Sequence, residues 1–216
     1  MRLFSCDVCA QTLFFENNVC ERCGHGLGFL PATMALLTLE RNGALLRPLK
    51  GVGSYTYCGN AAHGVCNWLI PTPAPPDELC IACRHNRTIP DLSTIPDLSM
   101  EENLKGWRTL EIAKHQLFYT FLRLRDLTED PVHGLAFDFL ADSSGCGPRI
   151  FTGHDEGLIT INLAEADNAL RERIRAEMGE PYRTLLGHFR HEIGHYYWNE
   201  LVGEGSRLGA CRGNIR

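Results

Sequence analysis

The spacing of the cysteines dictates how the first part of this chain can fold. Eight of the ten cysteines lie between Cys6 and Cys83. Cys6-x2-Cys9 and Cys20-x2-Cys23 are two knuckles ten residues apart, and each can bring two thiolates onto one ion at tetrahedral geometry. Leu13-Phe14-Phe15 supplies a short β-run between them, and Gly24 and Gly26 suit the tight turn after the second knuckle. The expected product is a zinc ribbon. The spacing fits a redox dithiol or a four-iron cluster less well, since it is not a ferredoxin run. A second set, Cys58, Cys66, Cys80 and Cys83, has seven residues inside its first pair and ends in a Cys-x2-Cys. His63 and His85 could each replace one cysteine there, but beside a complete four-cysteine set they read as polar neighbours. Zinc enclosed by four thiolates has no open coordination position, so both ions are expected to be structural, each contributing on the order of 10 kcal/mol to folding.

Charge and hydropathy narrow the class. Of the residues, 44% are hydrophobic, and 26 acidic against 21 basic groups give a net charge of −5. That balance argues against a basic nucleic-acid wrapper and against attraction to an acidic membrane. No stretch reaches the roughly 18–20 apolar residues of a bilayer span, and Met1-Arg2-Leu3-Phe4-Ser5-Cys6 lacks the apolar core of a signal peptide. The expected location is the cytoplasm, where thiols stay reduced and serve as ligands rather than disulfides.

The expected organisation is a zinc-ribbon region over 1–87, a linker over 88–99 and a further domain over 100–216. The linker is a six-residue duplication, Thr88-Ile89-Pro90-Asp91-Leu92-Ser93 followed at once by Thr94-Ile95-Pro96-Asp97-Leu98-Ser99, whose prolines favour extended backbone. Ser99 and Glu102 have capping-box spacing ahead of a helical pattern over 101–124. Strands are expected over 135–140 and 157–163, with a turn at 153–157 leading into the second. Asn162 is expected to cap a helix over 164–178. A last helix, Pro181–Val202, apolar on most sides and buried, would stop at Gly203. The fold class is α+β: a small double zinc ribbon followed by an α+β domain.

The chemistry concentrates on that last helix. His191-Glu192-Ile193-Gly194-His195 is His-Glu-x-x-His, and i,i+4 spacing on a helix puts both imidazoles on one face, able to share one ion. Glu192 could then deprotonate a zinc-bound water whose pKa the metal lowers toward about 7. His188 lies on the same stripe and is expected to act as a buried hydrogen-bonding partner. Gly194 costs roughly 1 kcal/mol relative to alanine within a helix, which suggests close packing against its backbone. His154 and Asp155 are the nearest further residues that could face the site.

These motifs together, Cys6/Cys9/Cys20/Cys23, Cys58-Gly-Asn-Ala-Ala-His-Gly-Val-Cys66, Cys80-Ile-Ala-Cys83-Arg-His-Asn-Arg and Tyr182-Arg-Thr-Leu-Leu-Gly-His-Phe-Arg-His-Glu-Ile-Gly-His-Tyr-Tyr-Trp198, resemble the bacterial zinc-binding metallopeptidases that carry an N-terminal zinc ribbon. The resemblance covers nearly the whole chain. It implies a zincin-like second domain with His191 and His195 as ligands, Glu192 as base, two structural zincs and one catalytic zinc, and a peptide or protein substrate. It also implies that the strand over 157–163 is the sheet edge that aligns an extended substrate. Catalytic zinc normally takes three protein ligands, and no third is evident; Glu200 and Glu204 fall on the far side of a continued helix. The ending from Gly205 to Arg216 is therefore expected to be a truncation that leaves the site incomplete. The competing reading is a zinc-ribbon binding module for protein or nucleic acid with a vestigial peptidase half, for which Arg84, His85 and Arg87 offer a small basic cluster.

Overall fold

The computed structural model describes residues 2–90, 100–124, 134–142, 150–179, 181–199 and 202. It divides the chain into two compact units: Met1–Arg84 with Phe118–Thr128, and His85–Leu117 with Glu129–Arg216.

The first unit is a small β structure. Strands β1 (Phe4–Ser5) and β2 (Thr12–Leu13) pair antiparallel, so the β-run expected over Leu13 to Phe15 ends one residue into it. A five-stranded antiparallel sheet follows in sequence order: β3 (Gly26–Leu30), β4 (Ala35–Asn42), β5 (Leu45–Pro48), β6 (Tyr55–Tyr57) and β7 (Leu69–Pro71). Leu30, Leu39, Leu46 and Leu69 form its buried leucine cluster. Phe29 is fully buried against Phe15 at 4.8 Å and Trp68 at 5.0 Å between ring centroids. Edge-to-face rings of this kind add about 0.5–1.5 kcal/mol per pair beyond their burial. Gly26, expected in a turn, opens β3 instead.

In the second unit β8 (Asn86–Thr88) precedes α1 (Met100–Leu124), β9 (Ala136–Leu140), β10 (Gly153–Asp155), β11 (Leu158–Asn162), α2 (Asn168–Met178) and α3 (Leu185–Trp198). From Phe118 on, α1 belongs to the first unit. The sheet order is β10-β11-β9-β8, with β8, β9 and β11 parallel and β10 antiparallel on β11. Thr88, expected to start the linker, thus ends a strand, while Asp91 to Ser99 lie outside the described residues together with the Ser99 cap and Gly203. The segment Gly153–Asp155, expected as a turn, is itself a strand. Because it pairs beyond β11, it and not 157–163 forms that edge of the sheet among the described residues.

Two helix starts also differ from expectation. Asn162 caps only a short 3-10 helix, Leu163–Ala166, and α2 begins behind Asp167, whose carboxylate accepts from the backbone N–H groups of Ala169 and Leu170. The last helix begins at Leu185 and not at Pro181, because the Thr184 hydroxyl accepts from the Gly187 N–H and so supplies the N-cap. Only one of its faces is buried, through Leu185, Phe189, Ile193 and Tyr196; the expectation of a helix buried on most sides does not hold.

Both α1 and α3 rest on the same face of the sheet. Phe137 and Phe139 alternate onto one side of β9. Phe189 of α3 meets their rings at 5.9 and 6.4 Å, and the Lys114 ammonium of α1 lies over them at 5.7 and 5.5 Å. Lys114 and Glu111 are both fully buried. Their ion pair spans 2.9 Å, Trp107 Nε1 donates to Glu111 Oε1 at 3.1 Å, and Asn86 hydrogen-bonds both charged groups. A buried pair of this kind holds α1 in place because neither charge tolerates the loss of the other. Lys114→Met should therefore lower unfolding stability by about 3–5 kcal/mol in urea titration, and Glu111→Leu/Lys114→Met should cost less than that single change.

Candidate metal centres

The four knuckle cysteines of the first ribbon converge. The sulfur atoms of Cys6, Cys9, Cys20 and Cys23 all lie within 4.8 Å of one another, and so do those of Cys58, Cys66, Cys80 and Cys83. Zinc–sulfur bonds of about 2.3 Å at tetrahedral angles place sulfurs about 3.8 Å apart. The separations are 3.5 Å for Cys6–Cys23, 3.6 Å for Cys9–Cys20 and 3.8 Å for Cys66–Cys80, so the donor sets fit the ion.

Local backbone explains the convergence. In each knuckle of the first ribbon, the residue after the second cysteine takes a left-handed conformation: Gly24 at φ 76° and Ala10 at φ 57°. Their N–H groups return to the carbonyls of Cys20 and Cys6 at 2.7 and 3.0 Å. Glycine adopts that conformation freely, whereas Ala10 adopts it at a cost. In the second site N–H groups of Trp68, Cys80 and Cys83 point at the sulfurs of Cys66, Cys58 and Cys80, at 3.4, 3.3 and 3.4 Å. Such donors favour thiolate over thiol.

Electrostatics show what each set requires. Hydrogen bonds from Cys66, Cys80 and Cys83 pull the Cys58 thiol far below its ordinary value, whereas burial pushes Cys66 well up and the bond to Cys58 does the same to Cys83. In the first ribbon burial opposes ionisation of Cys6, but the Cys9 and Val8 backbone and the Cys23 and Thr38 side chains overcome it and leave that thiol lowered to about 6. The backbone at His25 works to lower Cys23, yet burial and its three cysteine neighbours prevail and raise it to about 12. In each cluster one cysteine is drawn toward the thiolate while a neighbour is held back, and a divalent cation would favour their ionising together. His85 stays out of the cysteine chemistry, with its Nδ1 3.0 Å from the Leu135 carbonyl.

A third candidate centre is the histidine pair on α3. His191 and His195 are exposed, one turn apart, with their Nε2 atoms 3.1 Å from each other. Two imidazoles on tetrahedral zinc, with bonds of about 2.0–2.1 Å, stand about 3.3 Å apart between nitrogens, so this pair is also compatible with one ion. Glu192 is half-buried beside it. A cleft of ≈ 770 Å³ runs along this part of the helix, lined in part by Thr152, His188, His191 and Glu192. Among the described residues no third His, Cys, Asp or Glu donor joins the pair within 4.8 Å. Gly194 is exposed, and a Cβ there would meet no described atom within 4 Å, so close packing does not account for that glycine.

His154 does reach this neighbourhood. The register His154↔Ile159 and Ile159↔Phe137 puts its side chain on the helix-covered face of the sheet. Its ring stacks near-parallel to His195 at 6.4 Å and meets Tyr196 edge-on at 6.3 Å. Its Nε2 accepts from the Gly157 N–H at 2.9 Å, which places the proton of the neutral ring on Nδ1. Gly157 makes that turn with φ 88°, where a Cβ would meet the Gly134 carbonyl oxygen at 2.7 Å. His188 turns toward Glu165, its Nδ1 lying 3.5 Å from Oε2. The carboxylate of Glu165 also lies 3.4 Å from Arg183. Sequence reading assigned no role to Glu165, Arg183 or Arg190; lone charges beside a helix carry no periodic signal. Arg87, part of the basic cluster behind the nucleic-acid reading, binds both carboxylate oxygens of Asp138, which removes it as an unpaired cation.

Comparison with known proteins agrees with this layout. Residues 103–215 match the family described as "Putative zinc-binding metallo-peptidase", and residues 3–94 match a zinc-ribbon domain. An uncharacterized protein of Mycobacterium bovis and two of Mycobacterium tuberculosis are each 40% identical over 207 residues, covering 95% of this chain and 56% of the relative. The chain therefore spans about half the length of the curated relatives it matches. No solved structure matches. No helix among the described residues is long and apolar enough to cross a membrane. Cys58→Ser should release zinc from the second cysteine set and expose the first unit to proteolysis, with elemental analysis and limited trypsin digestion as the readouts. Unchanged zinc content and digestion would contradict the assignment of Cys58.

Proposed function

Because this chain belongs to the zinc-binding metallo-peptidase family and carries a zinc-ribbon domain, we propose that its second unit hydrolyses peptide bonds, with His191 and His195 as zinc ligands and Glu192 as general base. The observation that supports this most is the 3.1 Å approach of the two Nε2 atoms on an exposed helix face, next to a half-buried carboxylate in a cleft. A zinc ion held there supplies Lewis acidity, polarising a substrate carbonyl and lowering the pKa of water toward about 7. Glu192 takes the proton of the attacking water on its carboxylate and passes it to the leaving amine. Phe189 and Ile193, buried on the opposite side of the helix, hold α3 against the sheet so that the imidazoles keep their spacing. The four-cysteine sets take the two structural zincs of the zincin-like, two-part architecture and shape the first unit without touching substrate.

Elemental analysis should give three zincs per chain, falling to two in His191→Ala/His195→Ala. Glu192→Gln should retain all three while hydrolysis of a peptide substrate drops about 10²–10⁴-fold. Two zincs in the unaltered protein, or full activity in Glu192→Gln, would end this reading.

A further inference from the structure

The charge distribution of the cleft beside Glu192 differs from that of the molecule. The chain carries a net charge of −5, yet two arginines, Arg183 and Arg190, line this cleft with Glu192, His188 and His191; Glu165 pairs with Arg183 from behind the wall, which leaves Arg190 as the cation without a direct counter-charge among the described residues. The two arginines are held differently. Arg190 is exposed on α3 and has no ion-pair partner among the described residues. The side chain of Arg183 is only 13% exposed and is held by Glu165, a buried residue of the short helix Leu163–Ala166. Glu165 faces His188 as well, so one buried carboxylate fixes two basic groups at the cleft wall. A guanidinium anchored in this way loses little freedom when it meets an anion, and a fork of N–H donors suits a carboxylate better than any neutral group.

We propose that this cleft is a carboxylate-binding subsite, so that the peptides it takes carry an acidic side chain or a free C terminus next to the bond to be cleaved. This rests on the peptidase reading for what happens to the peptide, but not for the binding itself. The volume of ≈ 770 Å³ accommodates a side chain together with flanking backbone. His191 and Glu192 line the same cleft, so on this proposal a carboxylate held by the arginines belongs to a residue close to the bond that is cleaved.

Binding can be read without turnover, on the zinc-loaded chain, by following amide NMR shifts with three probes. N-acetyl-glutamate α-amide carries only a side-chain carboxylate, N-acetyl-glutamine only a terminal one, and N-acetyl-glutamine amide neither. One carboxylate probe should bind about tenfold more tightly than the neutral one, with the advantage shrinking as salt is raised. Which carboxylate prevails tells a side-chain subsite from a C-terminal one. Arg190→Gln, and separately Arg183→Gln/Glu165→Gln, which removes the guanidinium together with its buried partner, should each cut the preference several-fold, while Arg190→Lys keeps most of it. Equal binding of all three probes would overturn the subsite, as would a preference indifferent to both arginine changes. A preference abolished in His191→Ala/His195→Ala would also overturn it, because the carboxylate would then be sitting on the metal pair. The zinc count and the Glu192→Gln assay judge the peptidase reading separately.

Discussion

Four sulfurs crowded within 4.8 Å cannot all ionise without a cation among them, and the first unit is built around two such crowds. Among the described residues its regular structure is slight: strands of two to eight residues, a leucine cluster and a knot of aromatic rings. A core of that size supplies little net stability by itself. The backbone is committed to the sulfurs in advance, through left-handed residues at Ala10 and Gly24 and N–H groups turned toward Cys58, Cys66 and Cys80. Zinc held by those sulfurs is expected to add to the stability of this unit.

The second unit solves its problem by other means. A four-stranded sheet presents Phe137 and Phe139 to two helices; one contributes Phe189 and the other a buried lysine paired with a buried glutamate. Apolar packing fixes α3, and α1 adds a buried polar network to its own apolar face of Trp107, Leu110 and Leu117. The exposed face of α3 is what remains once Phe189, Ile193 and Tyr196 have gone inward, which is why His191, His195 and Arg190 lie outward.

Much of this was legible in the residues. Cysteine spacing implied both clusters, and the periodicity from Leu104 to Leu122 gave α1 almost to its ends. The α+β class, strand β9 and the core of β11 followed from β-branched and aromatic runs. What escaped was local competition. Asp167 outbid Asn162 as the cap of α2 because its carboxylate reaches two N–H groups, and Thr184 delayed α3 past Pro181. Gly153-His154-Asp155 reads as a turn because its residues are weak strand formers, yet pairing with β11 makes it the sheet edge. The buried Glu111–Lys114 pair could not be read at all, since charges on a helix ordinarily mark its wet side.

The parallel pairing of β8 with β9 has a consequence for biogenesis. Arg87 and Asp138, which clamp the two strands, stand 51 positions apart. A ribosome emitting the chain releases all eight ribbon cysteines before β9 exists, so zinc can be captured while β8 is still without its neighbour. That strand, whose first paired residue Asn86 stands three positions beyond Cys83, lacks its neighbour until β9 arrives. At three residues, the strand offers only a short edge for a wrong partner over that interval, so its brevity limits the hazard that late parallel pairing brings.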